Sequence, residues 1–364
     1  MKLIDKYLFR ELLGPFVFAV AAFVAVSIGA AFFVIADLIS KYNAPWYFAG
    51  QLILLRLPMI LVPVIPMSML LATLLTFGKL SSNSEITAMK SGGMSFQRIM
   101  LPVIALGIIV SLVSFATSQF VTPWSSKQYD YIEKALIKKE KTANVSLTDN
   151  VVLKGSIDGN KNNYMVLYAK NYNSNDRTLH GVTVEEFSEN KLLRVMASET
   201  ANYVGGNWQL KHCNIYNLNS KNAFDKKEFV NLPLTKKPEL VVADQKDPEQ
   251  MELSELKAVY DALKTEGSPD YSKFETELFN RSAIPFAGVI FAIIGAPLGM
   301  QSNRSSSSVG LGISLVVILL YYAIYSFMLT LGRGGVINGF IAAWSPNIIG
   351  MLFGAILIFR ARKK

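Results

Sequence analysis

Apolar residues in this chain are gathered into long blocks at its two ends, and between them hydrophobic and polar positions alternate. The blocks run Leu12 to Ala36, Leu52 to Phe77, Ile99 to Phe120, Leu278 to Met300, Val309 to Leu331 and Val336 to Phe359. About 20 mostly apolar residues carry a helix across the hydrocarbon core of a bilayer, and each block is near or above that length. Six membrane-spanning helices are therefore expected, three on each side of the middle segment. The first block is too long for a cleavable signal peptide, and no small-residue cleavage site precedes a polar mature chain. Pro58, Pro63 and Pro66 in the second block, and Pro285 and Pro297 in the fourth, free backbone carbonyls and bend their helices. Such bends serve as hinges or cavity walls in transporters and are also common in ordinary membrane helices.

From Val151 the period falls to two. VVLKGSI, NYMVLYAKNY, HGVTVEEFSENKLLRVMASETANYV and NWQLKHCNIYNL alternate apolar and polar residues, the pattern of half-buried strands. Glu189-Asn190 and Gly205-Gly206 sit where hairpin turns are expected. Several such strands at regular spacing predict an antiparallel sandwich or jelly roll. Two helices frame it: a polar extension of the third span over Trp124 to Lys141, and Leu253 to Thr265, which Gly267 ends. The expected architecture is a membrane α-helical protein, three helices plus three, with an all-β jellyroll-like domain inserted between helices 3 and 4. Residues 1–121 form the first membrane half, 122–277 the insert and 278–364 the second membrane half.

The composition fits: 51% of the 364 residues are hydrophobic. The net charge of +9 would suit a nucleic-acid partner were it spread over a soluble surface, and it is not. Fifteen of the 36 basic residues lie outside 122–277, where they meet only Asp5, Glu11, Asp37 and Glu85, while the insert itself is slightly acidic. The excess therefore sets orientation. Lys2, Lys6, Arg10, Lys79, Lys90, Arg98, Arg304, Arg360, Arg362, Lys363 and Lys364 fall on the side of the termini, against Lys41, Arg56, Arg281 and Arg333 on the other. By the positive-inside rule the termini are cytoplasmic and the insert is extracytoplasmic. Cys213 is the only cysteine, so no intrachain disulfide forms, and with only His180 and His212 beside it a structural zinc site is excluded. No G-x-S-x-G elbow, H-E-x-x-H helix or paired carboxylates suggest catalysis. No G-x-x-x-x-G-K-S/T occurs, so no P-loop cradles nucleotide phosphates and no cofactor is expected in this chain.

The segment GKLSSNSEITAMKSGGMSFQRI, Gly78 to Ile99, is the most informative. Ser82 followed by Glu85 reads as a capping box, and Gly92-Gly93 offers a left-handed stop. A short helix over about 82–92 is expected, with Ile86 and Met89 on one side. Two readings stand at this point. Either Glu85 only caps, or this is a coupling helix that docks in a groove of a cytoplasmic motor and offers Glu85 to a basic residue there.

The strings PMILVPVIPMSMLLATLLTFGKLSSNSEITAMKSGGMS and KYLFRELLGPF resemble the LptF/LptG family, the permease subunits of the bacterial lipopolysaccharide exporter. ETELFNRSAIPFAGVIFAIIGAPLG and AAWSPNIIGMLFGAILIFR resemble that family's entry into its fourth span and its last span. The resemblance covers the membrane parts nearly end to end, and its motifs are common to both branches of the family. It implies three helices on each side of a periplasmic β-jellyroll, in the bacterial inner membrane. It also implies pairing with a second permease subunit, as homodimer or heterodimer, above a cytoplasmic ATPase dimer that binds the ATP. The acidic residue of the family's coupling helix contacts the ATPase, and that position matches Glu85, with Ser82, Ile86 and Met89 around it. The implied substrate is lipopolysaccharide or a related glycolipid, drawn from the outer leaflet and passed through the jellyroll to a periplasmic bridge protein of similar fold.

Ionisable residues near a membrane are costly and often functional. Lys41, Arg56, Arg281 and Arg333 are expected at headgroup depth on the insert side, where a phosphorylated lipid presents its charges, and guanidinium suits bidentate contact with phosphate. Against this stands the plainer reading that they snorkel or anchor helix ends, with Arg281 paired to Glu277 one turn earlier. Two other functions remain open: a permease for another lipid or lipoprotein, and a membrane scaffold that only presents its β domain.

Overall fold

The computed structural model describes residues 3–138, 147–156, 163–173, 176, 178–188, 191–218, 224–234, 247–265, 270–300 and 307–362. The chain divides into two compact units. Residues 1–129 and 248–364 form a helical unit, and 130–247 form a β unit. Residues 122–129 and 248–277, at the two edges of the expected insert, thus pack with the helices.

The helical unit begins with α1 (Leu3–Lys41) and α2 (Tyr47–Ser82), followed by the short α3 (Glu85–Ser91). Next comes α4 (Phe96–Ala116), which runs through a wide π turn at Thr117–Val121 into α5 (Thr122–Tyr131). A second π stretch, Ile132–Ile137, carries the expected helical extension on, and residues 139–141 lie outside the described set. After the β unit come a 3-10 turn at Pro248–Gln250, α6 (Leu253–Thr265), α7 (Tyr271–Met300), α8 (Ser307–Arg333) and α9 (Gly339–Arg362). Among the described residues six helices are long and apolar enough to cross a membrane, as the block pattern predicts. The last starts at Gly339 rather than Val336, because the chain turns at Gly334 and at Gly335, whose φ is +71°. The stop expected at Gly267 is also outside the described residues.

Within the unit α2 and α7 are the buried helices and α1 is largely uncovered. Small residues let the backbones meet, as in membrane helix pairs generally. A Cβ on Gly295 of α7 would lie 1.9 Å from Thr73 Oγ1 of α2, and one on Gly350 of α9 would lie 2.6 Å from Ile290 Cγ2 of α7. Pro66 has no N–H for the Val62 carbonyl, and Ser114 Oγ from α4 donates to that carbonyl at 2.9 Å instead. Three tyrosines of α8 tie it to its neighbours: Tyr321 donates to Asn347 Oδ1, Tyr322 to the Pro63 carbonyl and Tyr325 to Asn280 Oδ1, at 2.8, 3.2 and 2.8 Å.

Among its described residues the β unit holds six strands: β1 (Leu147–Ser156), β2 (Asn163–Asn173), β3 (Thr178–Ser188), β4 (Lys191–Val204), β5 (Asn207–Asn217) and β6 (Phe224–Leu232). They pair antiparallel in chain order, so the expected sandwich or jelly roll takes the form of one meander among the described residues. Gly205 and Gly206, at φ +63° and +90°, make the tight β4–β5 turn, and both positive values suit a primed hairpin turn. Glu189-Asn190 lies outside the described residues.

Alternation slips by one in four neighbouring strands. Buried positions run Ala169 then Tyr172, Leu179 then Val182, Ser198 then Ala201, and Leu210 then Cys213. The exposed residues Lys170, Gly181, Glu199 and His212 mark the line of the slip, with φ of +62° at Gly181 and +51° at His212. A left-handed residue turns the strand so that the same face stays inward on both sides, which curls the sheet around its core. Ser198 sits at this line and donates to the carbonyl of Lys211. Trp208 is fully buried at the centre of the core, edge-on to Tyr203 and Tyr172 with ring centroids 5.4 and 6.4 Å away. Cys213 is buried in the same core, where desolvation pushes its thiol above the ordinary range, and His212 faces outward because the alternation slips at that point.

Candidate functional site

At the end of the helical unit that carries the α2–α4 connection, α3 follows α2 after two residues. Asn83 and Ser84 close α2, their amides donating to the carbonyls of Lys79 and Ser81, both at 3.0 Å. Ser84 is left-handed at φ +59°, and α3 starts immediately after it. The capping box does not form. Ser82 is still the last residue of α2, and its hydroxyl donates back to the Lys79 carbonyl at 2.9 Å. Ser84 occupies the cap position without a side-chain bond. The Glu85 carboxylate is therefore not spent on the backbone. It accepts from the Tyr7 hydroxyl at 2.6 Å and from Asn83 Nδ2 at 3.2 Å.

The expected stop does form. Gly93 is left-handed at φ +83°, its amide bonds the Lys90 carbonyl at 3.0 Å, and the Met94 amide bonds the Met89 carbonyl at 3.1 Å. This is the paired pattern of a Schellman ending. Ile86 is buried and Met89 half-buried, both in the cluster that contains Leu8, Leu12, Phe77 and Leu80. These two residues fasten α3 to its own helical unit. Its outer stripe is Ser84, Thr87, Ala88 and Ser91, all exposed. Helical period alone would have found that stripe opposite Ile86 and Met89.

Three polar contacts brace the start of α1 against this region. Asp5, buried, accepts from Arg98 Nη2 at 2.6 Å, Glu11 accepts from Lys79 Nζ at 2.9 Å, and Tyr7 donates to Glu85. Thr76 Oγ1 adds a bond to the Glu11 carbonyl at 3.3 Å.

The four cations expected at the other end are not brought together. Lys41 is exposed at the last turn of α1, its Nζ 5.8 Å from the ring centre of Tyr42. Arg56 is half-buried on α2, over the ring of Tyr129 at 5.8 Å and donating to its hydroxyl at 3.5 Å. Arg281 and Arg333 instead join one ion cluster. Arg281 is buried on α7, and its Nη2 donates to the carbonyls of Pro248, Glu249 and Met251 at 2.9, 3.2 and 2.5 Å. Its Nε lies 3.8 Å from Glu277 Oε1, the pairing expected from their spacing. Arg333 Nη2 bonds Glu249 at 2.6 Å and Glu277 at 3.4 Å. Asn280 donates to Glu277 at 3.2 Å, which links the cluster to Tyr325.

The cluster holds two acids and two bases: Glu277 and Arg281 are buried, where each charge is tolerated because the other faces it, while Glu249 and Arg333 reach the surface. Its chemistry is that of a clasp on the 3-10 turn. The carbonyls it grips lie about 30 residues before Arg281 in sequence, and no local pattern announces them. Close by, Glu275 accepts from the Gly339 amide at 3.0 Å and so caps α9. On α6, Lys264 donates to the Tyr260 hydroxyl at 2.7 Å, a bond that raises the pKa of the ammonium. Among the described residues no three His, Cys, Asp or Glu side chains gather to hold a metal ion.

The family model described as "Lipopolysaccharide export system permease LptF/LptG" matches residues 6–360. Among curated proteins, the chain is similar to the lipopolysaccharide export system permease protein LptF of Escherichia coli strain K12. The two are 20% identical over 304 residues, covering 81% of this chain and 77% of the relative. The LptF protein of Shigella flexneri matches with the same identity and coverage.

Proposed function

The chain belongs to the LptF/LptG family of lipopolysaccharide export permeases, and from that premise we propose that it is one transmembrane half of an exporter driven by a separate ATPase. The observation that carries the reading is the match from residue 6 to residue 360, which takes in both membrane halves and the insert. In this reading the termini are cytoplasmic, the β unit is periplasmic, and the chain pairs with a second permease subunit of its own kind. Lipopolysaccharide enters from the outer leaflet and leaves through the β unit to a bridge protein of similar fold. The cytoplasmic ATPase dimer binds the ATP.

The geometry of α3 supports the coupling part of this proposal. Ile86 and Met89 anchor the helix on its own unit, so a push on its outer face moves the bundle rather than the helix alone. Thr87, Ala88 and Ser91 on that face are small enough for close approach by a partner, and Glu85 at its edge is not spent on capping. Ser82 supports the turn rather than the docking surface. For the lipid phosphates, Lys41 and Arg56 are the stronger candidates. Arg281 is engaged by its own chain, and Arg333 is shared between two carboxylates.

Co-purification tests the motor. Wild-type chain co-expressed with its partners is expected to bring down an ATPase subunit from membranes, and Glu85→Arg is expected to lose it while staying folded. If neither form carries an ATPase in mild detergent, the scaffold reading replaces this one. If the ATPase is present but lipopolysaccharide does not stimulate it, the substrate is another lipid or a lipoprotein.

A further inference from the structure

Glu85 is joined directly to the first helix of the chain. The hydroxyl of Tyr7, about one turn into α1, donates to its Oε2 at 2.6 Å, a length that belongs to hydrogen bonds on a charged acceptor. The contact does not stand alone. Asp5 with Arg98, and Glu11 with Lys79, tie the preceding and following parts of α1 to α4 and α2. The start of α1 is therefore held to all three elements around the coupling segment. Beyond Glu11 the helix changes character. Val17, Phe18, Val26, Phe33 and Val34 stand out from the unit, and most of the span is uncovered. One side of α1 nevertheless stays packed through Leu12, Ala19, Ala31, Ile35 and Ile39, so a shift at its fastened start is carried along the helix.

We propose that Tyr7 is a positioning residue for the coupling carboxylate, holding Glu85 for a cation of the ATPase subunit and linking that cation's movement to α1. The inference rests on the reading of Glu85 as the group that meets the ATPase. A carboxylate has about four acceptor positions, so Tyr7 and Asn83 leave room for a guanidinium or ammonium without being displaced. The arriving cation and the phenol then share one acceptor, and a pull on Glu85 is a pull on Tyr7. Ile86, in the cluster with Leu8 and Leu12, stiffens the same junction through apolar contact.

The test compares wild type, Tyr7→Phe, Glu85→Gln and the double variant. Each is assembled with its permease and ATPase partners in vesicles of bacterial phospholipid that contain lipopolysaccharide. Bound ATPase, ATP hydrolysed and lipid released per ATP are measured. Tyr7→Phe keeps the ring and removes only the hydroxyl. It is expected to retain the ATPase and its hydrolysis while lipid released per ATP falls about ten-fold, the scale of one lost hydrogen bond to a charged group. The double variant is expected to be no worse than Glu85→Gln alone, because the hydroxyl acts only through that carboxylate. A Tyr7→Phe complex with wild-type lipid yield, or losses that add in the double variant, overturns the role of Tyr7 and leaves the exporter reading standing. Loss of the ATPase from Tyr7→Phe but not from Glu85→Gln also overturns it, since the residue would then serve the fold. A Glu85→Gln complex that binds its ATPase and exports normally removes the reading of Glu85 beneath it.

Discussion

Arg281 shows how much one side chain settles in this fold. A guanidinium buried in a helical unit is tolerated because a carboxylate faces it and three carbonyls accept from it. Removing it leaves those carbonyls and Glu277 short of a partner in a place water does not reach freely. Arg281→Met should therefore lower folding stability by about 3–5 kcal/mol, the cost of breaking a buried pair from one side. Thermal unfolding followed by tryptophan fluorescence measures it. Adding Glu277→Gln should restore part of the loss, and a second loss of equal size would mean that the two residues do not act as a pair. The i, i+4 spacing made the Glu277–Arg281 pairing readable in advance. The grip on Pro248 to Met251 was not, because it exists only once the chain has folded back on α7.

Among elements, α3 and α7 carry the most consequence. Expecting a short helix with a glycine stop before Phe96 was correct, whereas its start was misplaced. Ser82 and Glu85 have capping-box spacing, but α2 runs through Ser82, and the left-handed Ser84 begins the new helix. The competing force is burial of Leu80 and Ile86 on the bundle, which outweighs one side-chain cap. On α7, close contact with α2 depends on hydrogen in place of a side chain. Gly295→Val should cost 1–3 kcal/mol or more by overpacking, on the scale of about one extra group forced into a filled interior. Folded yield and unfolding midpoint report it. Thr73→Ala in the same chain should relieve part of the cost, since Thr73 Oγ1 is the nearest atom a new Cβ would meet. If Gly295→Val folds as well as wild type, the α2–α7 contact is not the constraint described here.

At the scale of the whole molecule, the proposed function divides between the two ends of the helical unit. One end carries the α3 junction, and the other carries Lys41, Arg56 and the clasp around Arg281. If these two cations meet lipid phosphates, Lys41→Glu and Arg56→Glu should each lower lipopolysaccharide-stimulated ATP hydrolysis several-fold. The unfolding midpoint should be unchanged for the exposed Lys41, since such charges contribute only about 0–1 kcal/mol to stability, and only slightly lower for Arg56, which also loses its contact with Tyr129. Arg281→Met should show the opposite signature, a lower midpoint whatever its effect on export. Stimulation that survives both charge reversals would remove Lys41 and Arg56 from the headgroup site.

The block pattern alone determined six spanning helices and a β insert, and the motifs in the membrane parts were enough to point to the family. The spans and the strands follow from the cost of leaving apolar side chains in water or backbone amides unpaired in lipid, which each segment must answer locally. Tertiary structure decided the rest. The meander order, the curl line through Gly181 and His212, the joining of Tyr7 to Glu85 across 78 residues and the use of Arg281 as a clasp all depend on which distant groups arrive within bonding distance. Periodicity records which face of an element is buried, and is silent about what buries it.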